Sequence, residues 1–522
     1  MFDAVLNSDL PIALSAPTGA GKTTVFNLAI VRLLQQRAGE WPLPPLRGEL
    51  EAGERARADA PSLQDASFMR AKVVYLSPTK ALAAERTRDW AAKLRPLGVR
   101  VAAFTGDDGD GDAEGPAARL RDADIIVSTP EKLDALSRRG LDHGGTAITE
   151  VALLLVDEVH TLSESGRGAC LEAVVSRLLH LSRSPQAQAR GWPVSRLRCV
   201  ALSATLPNLG DLAKWLQAPR AGTFVFDGSY RPVPLTCHVL GFGGGGGGGG
   251  CGCGGDGGGA GAGGGGARPP SAFLFERALD ARLFSVLDTY SVGRPALVFC
   301  ASRAGVRTAA ERLVVDACAA AARFGAGAPI HGRGASSAFL RDAPHARALA
   351  EAAGRAQEAR LAQCLCAGVG FHSAGESAGD RALVESLFVA GALPVLCSTA
   401  TLALGVNLPA HLVIIKSTQR WSGSGTGYTE YPPAAIEQML GRAGRPQFDA
   451  TGVAVILTRN ETRQHYEALL GASSSPIESA LAGSLTEVLC AEIVLGNIES
   501  ISEAVAFLAG TFYRVRLRAN PR

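Results

Sequence analysis

The feature that most constrains the fold of this 522-residue chain is a glycine-rich turn between a short apolar run and a helical segment. The turn reads Ala-Pro-Thr-Gly-Ala-Gly-Lys-Thr over residues 16–23. The apolar run at 11–15 predicts a buried strand, and the apolar spacing over 24–34 is typical of a helix. Backbone N–H groups in such a turn can point at phosphate oxygens, and the positive end of the helix dipole favours the same anion. We therefore expect a phosphate-binding turn.

The side chains of this turn indicate a nucleotide with Mg²⁺. Lys22 would place a positive charge on the β and γ phosphates of ATP, and the Thr23 hydroxyl would bind the metal. Ala16 stands where the usual pattern has its first glycine, so the match is to a relaxed form, and a purely structural turn is the alternative. The residues predicted to hold the nucleotide here are Thr18, Gly19, Ala20, Gly21, Lys22 and Thr23.

Continuous apolar runs alternate with helical segments along most of the chain. Runs of this kind, apolar at every position, are typical of strands covered on both faces of a parallel sheet. A first group lies before a glycine tract at 243–266, and a second group follows it, so we predict an α/β fold with two tandem parallel-sheet units and a short helical domain from about residue 472. The runs are 73–76, 125–127, 153–156 and 199–202, then 296–300, 394–398, 411–415 and 453–457.

Two segments of biased composition interrupt the predicted α/β pattern. Residues 39–70 are predicted to be a mobile insertion, and the glycine tract is predicted to be a flexible tether.

Composition excludes several classes of protein. Eleven scattered cysteines without paired zinc-ligand spacing indicate reduced thiols in an intracellular protein. No run reaches membrane-spanning length and the N-terminus lacks a secretory signal pattern, which favours the cytosol or nucleus. A formal net charge of +3 permits nucleic-acid binding without arguing for it.

Two adjacent carboxylates follow one of the buried runs. Asp157 and Glu158 come directly after residues 153–156, and ligands of open α/β sheets bind at the carboxyl ends of strands. Asp157 can hold the Mg²⁺ that bridges the phosphates, and Glu158 can polarise the attacking water. A solvated strand end is the alternative interpretation for an acidic pair of this kind.

Two arginines in the second unit complete the predicted catalytic set. Arg442 and Arg445 lie three residues apart on a predicted helix, hence on one face, and Gln438 precedes them. A guanidinium group keeps its charge and forks onto phosphate oxygens, as arginine fingers do. Because the glycine turn belongs to the first unit, we expect hydrolysis to require both units to close on one nucleotide.

With these motifs, nearly the whole chain resembles a superfamily 2 helicase of the DExH-box, Ski-like group. The motifs occur in the order of that family, and the ordered set is highly specific. They are APTGAGKT (16–23), SPTKALAAER (77–86), TGD (105–107), STPEKLD (128–134), DEVH (157–160), SATLPN (203–208), LVFCASR (297–303), VGFHSAG (369–375), STATLALGVNLPAHLVIIKST (398–418) and QMLGRAGRPQFD (438–449).

The resemblance implies roles for small polar residues at strand and helix ends, where a helix cap or a turn is the alternative for each. It also implies that Gly405 contacts the nucleotide. Residues implied to grip the nucleic-acid backbone are Pro78, Thr79, Thr129, Pro130, Ser302, Arg303 and Thr399. Those implied to couple hydrolysis to strand movement are Ser203, Thr205 and His372.

The resemblance further implies three domains and a linker. A RecA-like ATP-binding domain spans 1–228, and a linker with the glycine-rich insertion spans 229–270. A RecA-like C-terminal helicase domain spans 271–468, and a truncated winged-helix domain spans 469–522. The family's adenine-reading segment and ratchet domain are not found, so we expect a truncated gene model or a fragment.

The function implied is ATP-dependent unwinding of DNA with 3′ to 5′ polarity. Within the Ski-like group the chain is most similar to the DNA helicases that promote meiotic crossovers. Spliceosomal and activating-signal cointegrator helicases share many of the same sequence motifs. An RNA helicase, or a strand-binding ATPase without processive unwinding, is the alternative. We expect a nuclear monomer that binds single-stranded or branched DNA, with no membrane association and with unknown protein partners.

Overall fold

A computed structural model describes residues 1–38, 70–106, 116–138, 146–243, 272–324, 337–402, 408–421, 427–471 and 476–521. The predicted insertion at 39–70 and the glycine tract at 243–266 lie almost wholly outside these ranges, as does Gly405. The chain forms two compact units. The first contains Met1–Pro232 and Ser473–Arg522, and the second contains Val233–Ala403 and Asn407–Ala472.

The first unit contains a seven-stranded parallel sheet in the order β3-β4-β2-β5-β6-β1-β7. The strands are β1 (Ile12–Ser15), β2 (Lys72–Leu76), β3 (Val101–Phe104), β4 (Ile125–Ser128), β5 (Val151–Val156), β6 (Arg198–Ser203) and β7 (Thr223–Val225).

Successive residues of the central strands enter two different hydrophobic cores. In β5, Leu154 packs in one core and Leu155 in the other, and in β6 Ala201 and Leu202 divide in the same way. Side chains of a strand alternate between faces, so these two cores cover opposite faces of the sheet. The continuous apolar runs predicted strands buried on both faces, and this prediction is confirmed.

Helices flank this sheet. The α-helices of the first unit are Phe2–Asn7, Lys22–Ala38, Lys80–Leu94, Pro116–Asp122, Pro130–Ser137, Thr146–Thr149, Arg167–Ser182, Pro185–Ala189, Leu209–Leu216, Leu485–Val494, Ile501–Ala509 and Phe512–Ala519. Its 3₁₀ turns are Arg95–Leu97, Val159–Ser163, Pro193–Arg196, Arg220–Gly222, Gly228–Tyr230 and Leu481–Ser484.

The second unit contains a six-stranded parallel sheet in the order β10-β11-β9-β12-β15-β8, with a separate antiparallel pair, β13 and β14. Its strands are β8 (Leu235–Phe242), β9 (Ala296–Cys300), β10 (Val369–His372), β11 (Val395–Thr399), β12 (Leu412–Ile415), β13 (Gln419–Trp421), β14 (Tyr428–Glu430) and β15 (Gly452–Arg459). Its α-helices are Ala272–Ser291, Arg303–Phe324, Ala343–Ala353, Ala359–Cys366, Ala378–Val389, Pro433–Leu440 and Asn460–Gly471.

Strand β8 corrects the predicted linker over 229–270. Its eight residues pair in parallel with β15, from Leu235 against Gly452 to Phe242 against Arg459. This backbone ladder makes β8 a strand of the second sheet. The described chain thus enters the second unit at Val233, well before the predicted domain start at 271.

The described C-terminal residues 476–521 belong to the first unit and form three α-helices without an assigned strand. Buried polar contacts secure them to helix Arg167–Ser182: Arg177 pairs with Glu492, and Ser479 donates to Glu172. The winged-helix assignment therefore stays a prediction. Among the helices in the described ranges, none has the length and hydropathy needed to span a membrane.

Candidate nucleotide and strand sites

The glycine turn connects β1 to helix Lys22–Ala38, as its sequence predicts. Gly19 and Gly21 have φ angles of +84° and +80°, a left-handed conformation that glycine adopts without a Cβ penalty. Both glycines are exposed, and Thr18, Ala20 and Thr23 are partly exposed. The six residues predicted to hold a nucleotide thus lie together at the carboxyl edge of the sheet.

Lys22, the first residue of that helix, turns back toward the sheet. Its Nζ donates a hydrogen bond of 3.2 Å to the Ala16 carbonyl and lies 3.9 Å from Oε1 of Glu158. The Lys22 side chain is 11% exposed and that of Glu158 is 20% exposed. The structure therefore brings the predicted phosphate lysine and the predicted catalytic acid together within the first unit.

Asp157 follows β5 and is oriented by a tyrosine of β2. The Tyr75 hydroxyl donates a 2.7 Å hydrogen bond to Asp157 Oδ2. Burial, together with the adjacent Glu158 carboxylate, raises the pKa of Asp157 to about 6, while the bond from Tyr75 works in the opposite direction. Sequence reasoning missed Tyr75; its only signal was a polar hydroxyl inside an otherwise apolar run.

Glu158 has an unusual backbone conformation and a buried neighbour. Its φ of +47° is left-handed, which is rare for a residue with a side chain and clusters at functional sites. Its Oε2 lies 3.4 Å from Nδ1 of His160, which in turn lies 3.3 Å from Ser203 Oγ. Burial lowers the pKa of His160. The acid at Glu158 is thereby connected to Ser203, one of the predicted coupling residues.

The loop after β6 is bonded to the strand that leads into the glycine turn. Ser15 Oγ donates to the Ala204 carbonyl at 3.1 Å and accepts from the Leu206 N–H at 2.9 Å. Thr205 lies between these two contacts and is partly exposed. The predicted coupling loop and the predicted phosphate turn are thus adjacent.

Three of the predicted strand-contact residues of the first unit, Pro78, Thr79 and Thr129, line one groove of about 330 Å³. Thr79 also caps helix Lys80–Leu94, since its hydroxyl accepts the Leu82 N–H. Thr79 therefore caps the helix and also lines the groove. Pro130 is buried in the first turn of its helix.

Predicted residues of the second unit follow three adjacent parallel strands. His372 ends β10, Thr399 ends β11 and Ser302 comes two residues after β9, so all lie at one edge of the sheet. His372 Nε2 lies 2.8 Å from Oε1 of Glu385, and Thr399 shares a hydrogen bond with Thr401. Ser302 accepts the Gly305 N–H at the start of helix Arg303–Phe324. Arg303 is exposed.

The prediction that one helix carries both Arg442 and Arg445 is wrong. Helix Pro433–Leu440 includes the buried Gln438 but ends before Arg442, so the two guanidinium groups do not share a helical face. Gly444 has a φ of +86°, and a Cβ there would lie 2.6 Å from Val233 Cγ1. A left-handed residue in close contact with a neighbouring side chain is incompatible with a continuing helix.

Arg445 belongs to a charged cluster around Asp449. Its side chain donates from Nε and Nη2 to the two carboxylate oxygens of Asp449, at 2.9 and 3.2 Å. Arg294 and His411 also lie within 3.3 Å of that carboxylate. Although burial acts to raise it, the hydrogen bonds from Arg445 hold the pKa of Asp449 below its ordinary value.

Comparison with known proteins identifies a helicase domain in the first unit. Residues 1–212 match the family model of the DEAD/DEAH box helicase. The whole chain is 38% identical to the rice ATP-dependent DNA helicase MER3 homolog and covers 38% of it. It is 38% identical to the mouse probable ATP-dependent DNA helicase HFM1, covering 31%, and 33% identical to zebrafish activating signal cointegrator 1 complex subunit 3, covering 28%. The chain thus spans well under half the length of these relatives.

Proposed function

We propose, since residues 1–212 match the family model of the DEAD/DEAH box helicase, that this chain couples ATP hydrolysis to the separation of DNA strands. The observation that carries the proposal is the position of Lys22 beside Glu158 at the carboxyl edge of a parallel sheet. Ligands of such sheets bind outside this edge. A lysine at a glycine turn and two acids at the end of a nearby strand are the groups that phosphoryl transfer from a nucleotide requires.

The residues present fit ATP with Mg²⁺. A Cβ at Gly19 or Gly21 would meet no atom closer than 3.9 Å, so the exposed turn leaves space for phosphates. Thr23 and Asp157 are the proposed protein ligands of the metal, which would neutralise phosphate charge when bound. A nearby cation favours the carboxylate form of an acid. Bound Mg²⁺ would therefore lower the pKa of Asp157 and oppose the effect of burial, which raises it.

Roles for the remaining catalytic residues follow from their chemistry. Glu158 is proposed to polarise the attacking water. Arg442 and Arg445 of the second unit are proposed to supply positive charge to the transition state, with Gln438 in the same motif. Gly405 is proposed as a further nucleotide contact from the resemblance alone.

The proposed path of the nucleic acid follows the residues that line or edge the two sheets. Pro78, Thr79 and Thr129 share a groove in the first unit, and hydroxyl and N–H groups of this kind contact phosphates without reading sequence. Pro130, Ser302, Arg303 and Thr399 are proposed to extend this backbone contact. Ser203, Thr205 and His372 are the proposed coupling residues.

DNA is the proposed substrate because the rice and mouse relatives are named as DNA helicases. The 3′ to 5′ polarity, a role in meiotic recombination and crossover formation, a monomeric state and a nuclear location follow from the resemblance and are part of the same proposal. An RNA strand presents the same phosphates to these groups, so DNA and RNA must be compared directly.

ATPase turnover measured with and without single-stranded DNA tests the catalytic assignment. We expect Glu158→Gln to lower turnover by about 100-fold or more while ATP still binds, because it removes the group that polarises water. Lys22→Ala should lower turnover and weaken ATP binding. Lys93→Ala, which removes an exposed lysine paired with Asp89, is the matched control and should leave turnover unchanged. Undiminished turnover in either site variant would remove the assignment.

Strand displacement tests the substrate. Duplexes of DNA and of RNA with either a 3′ or a 5′ single-stranded extension should be compared with the same preparation. We expect ATP-dependent displacement of DNA from the 3′-extended duplex. Stimulation by RNA alone would overturn the choice of DNA, and strand binding without displacement would favour a strand-binding ATPase.

A further inference from the structure

The groove that holds Pro78, Thr79 and Thr129 also contains cations that sequence reasoning did not assign. Lys80, Lys132 and Arg167 line it, together with the carboxylate of Glu131. An acid in a groove proposed to bind phosphates is unfavourable, because like charges repel. Glu131 therefore requires an explanation.

Glu131 is paired with one of these cations. Arg167 Nε donates a 2.9 Å hydrogen bond to Glu131 Oε1, and the two side chains are 40% and 47% exposed. An ion pair this exposed contributes at most about 1 kcal/mol, because water screens it. A phosphate can therefore replace Glu131 as the partner of the Arg167 guanidinium with little loss of free energy. It presents two oxygens that can accept hydrogen bonds from the planar guanidinium group.

The backbone position of Arg167 is fixed by the turn that follows Glu158. Arg167 begins its helix directly after this region, and the next residue, Gly168, donates to the Glu164 carbonyl at 2.8 Å. A Cβ on Gly168 would lie 2.2 Å from the Leu162 carbonyl oxygen, so the helix start and the turn are in direct contact. Arg167 is thus anchored to the same short element as the proposed catalytic acid.

We propose that Arg167 binds a backbone phosphate of the nucleic-acid strand in this groove, and that Glu131 competes with that phosphate for the same guanidinium. The inference rests on the proposed function, since it assigns a strand-binding residue to the same groove. Competition by Glu131 limits how tightly the groove holds any one phosphate, which suits a protein that must release the strand in each step.

Equilibrium binding of a labelled DNA single strand to the full chain, at several salt concentrations, tests this proposal. Arg167→Ala should weaken binding by about tenfold, the effect of losing a charged hydrogen bond. The slope of log affinity against log salt should become shallower by about 0.7, the value for one lost contact to a single strand. Arg167→Lys should keep the slope and lose part of the affinity. Glu131→Gln should tighten binding by about threefold, in line with the removal of one weak exposed ion pair.

The double variant separates direct contact from charge neutralisation. If Arg167 binds phosphate, Arg167→Ala still weakens binding in the Glu131→Gln background; if its effect disappears there, Arg167 only neutralises Glu131 and the proposal is overturned. Arg138→Ala is the matched control, because Arg138 is also 40% exposed and ion-paired, with Asp134, but does not line the groove. A wild-type chain that binds neither DNA nor RNA would instead overturn the proposed function.

Discussion

At the scale of single residues, Asp157 depends on the hydroxyl of Tyr75, which is fully buried between Phe26 and Trp90 in edge-to-face contacts. Tyr75→Phe keeps this aromatic packing and removes only the bond to Asp157. We expect the Mg²⁺ concentration that gives half-maximal ATPase activity to rise by about tenfold, because groups that orient a metal ligand affect metal affinity on this scale. A Mg²⁺ titration of turnover checks this prediction, and an unchanged midpoint would contradict it.

Sequence reasoning predicted the residues proposed for this site from their chemistry but did not predict their orienting partners. Lys22, Asp157 and Glu158 were proposed because each follows a short buried strand in a recognisable local pattern. Tyr75 could not be found in this way, since its contact with Asp157 joins residues 82 positions apart. The arginine helix was predicted wrongly because spacing alone does not reveal the left-handed conformation at Gly444.

At the scale of elements, helix Arg167–Ser182 carries a carboxylate against the C-terminal helices. Burial raises the pKa of Glu172 to about 7, while bonds from Ser479 and the Tyr513 N–H act to lower it. The folded chain therefore keeps this proton to a higher pH than the unfolded chain, and stability is lost as the pH rises from about 4.5 toward 7.

Glu172→Gln should remove this pH dependence, because the amide resembles the neutral acid. Relative to wild type, the variant should gain up to about 3 kcal/mol in free energy of unfolding between pH 5 and pH 8. Urea unfolding of both proteins at the two pH values measures the gain, with Glu487→Gln, an exposed glutamate on helix Leu485–Val494, as control. An equal difference at both pH values would contradict the assignment.

A buried ion pair joins helix Arg167–Ser182 to helix Leu485–Val494, and its removal should be costly. Glu492 is fully buried and accepts from Arg177, which also bonds to Asp134. Glu492→Ala leaves the buried guanidinium with one carboxylate, so we expect a loss of about 3 kcal/mol in the free energy of unfolding of the first unit. Denaturant titration measures it. Glu487→Ala should change little, and a comparable loss there would argue against a specific role for the pair.

The central strands of the two sheets could be predicted from the sequence, whereas several strands at the sheet edges could not. Continuous apolar runs predicted β5, β6, β9 and β12, since both faces of these strands are covered. The edge strand β8 was missed because most of its residues are only partly buried and its sequence mixes Thr, Cys, His and Gly with apolar residues. Strands β3 and β7, at the two edges of the first sheet, carry the same weak signal.

At the scale of the whole molecule, the residues proposed to catalyse ATP hydrolysis come from both units. Arg442→Ala should lower ATPase turnover by about 10³-fold or more, the range for a lost arginine finger, while ATP binding to the glycine turn stays intact. Turnover and binding of a fluorescent ATP analogue measure the two effects separately. Arg445→Ala should in addition lower the thermal midpoint, because it removes two hydrogen bonds to the buried Asp449. Unchanged turnover in Arg442→Ala would exclude this residue from the chemistry.

The pairing of β8 with β15 determines when the second unit can be completed during synthesis. The last residue of β8, Phe242, and the first residue of β15, Gly452, are 210 residues apart in the chain. A ribosome adding about 5–20 residues per second needs tens of seconds to cover that distance. Throughout this interval the nascent β8 has no β15 to bond with, and its exposed backbone could pair with another growing chain. Slower translation would lengthen this window and increase the demand for chaperones.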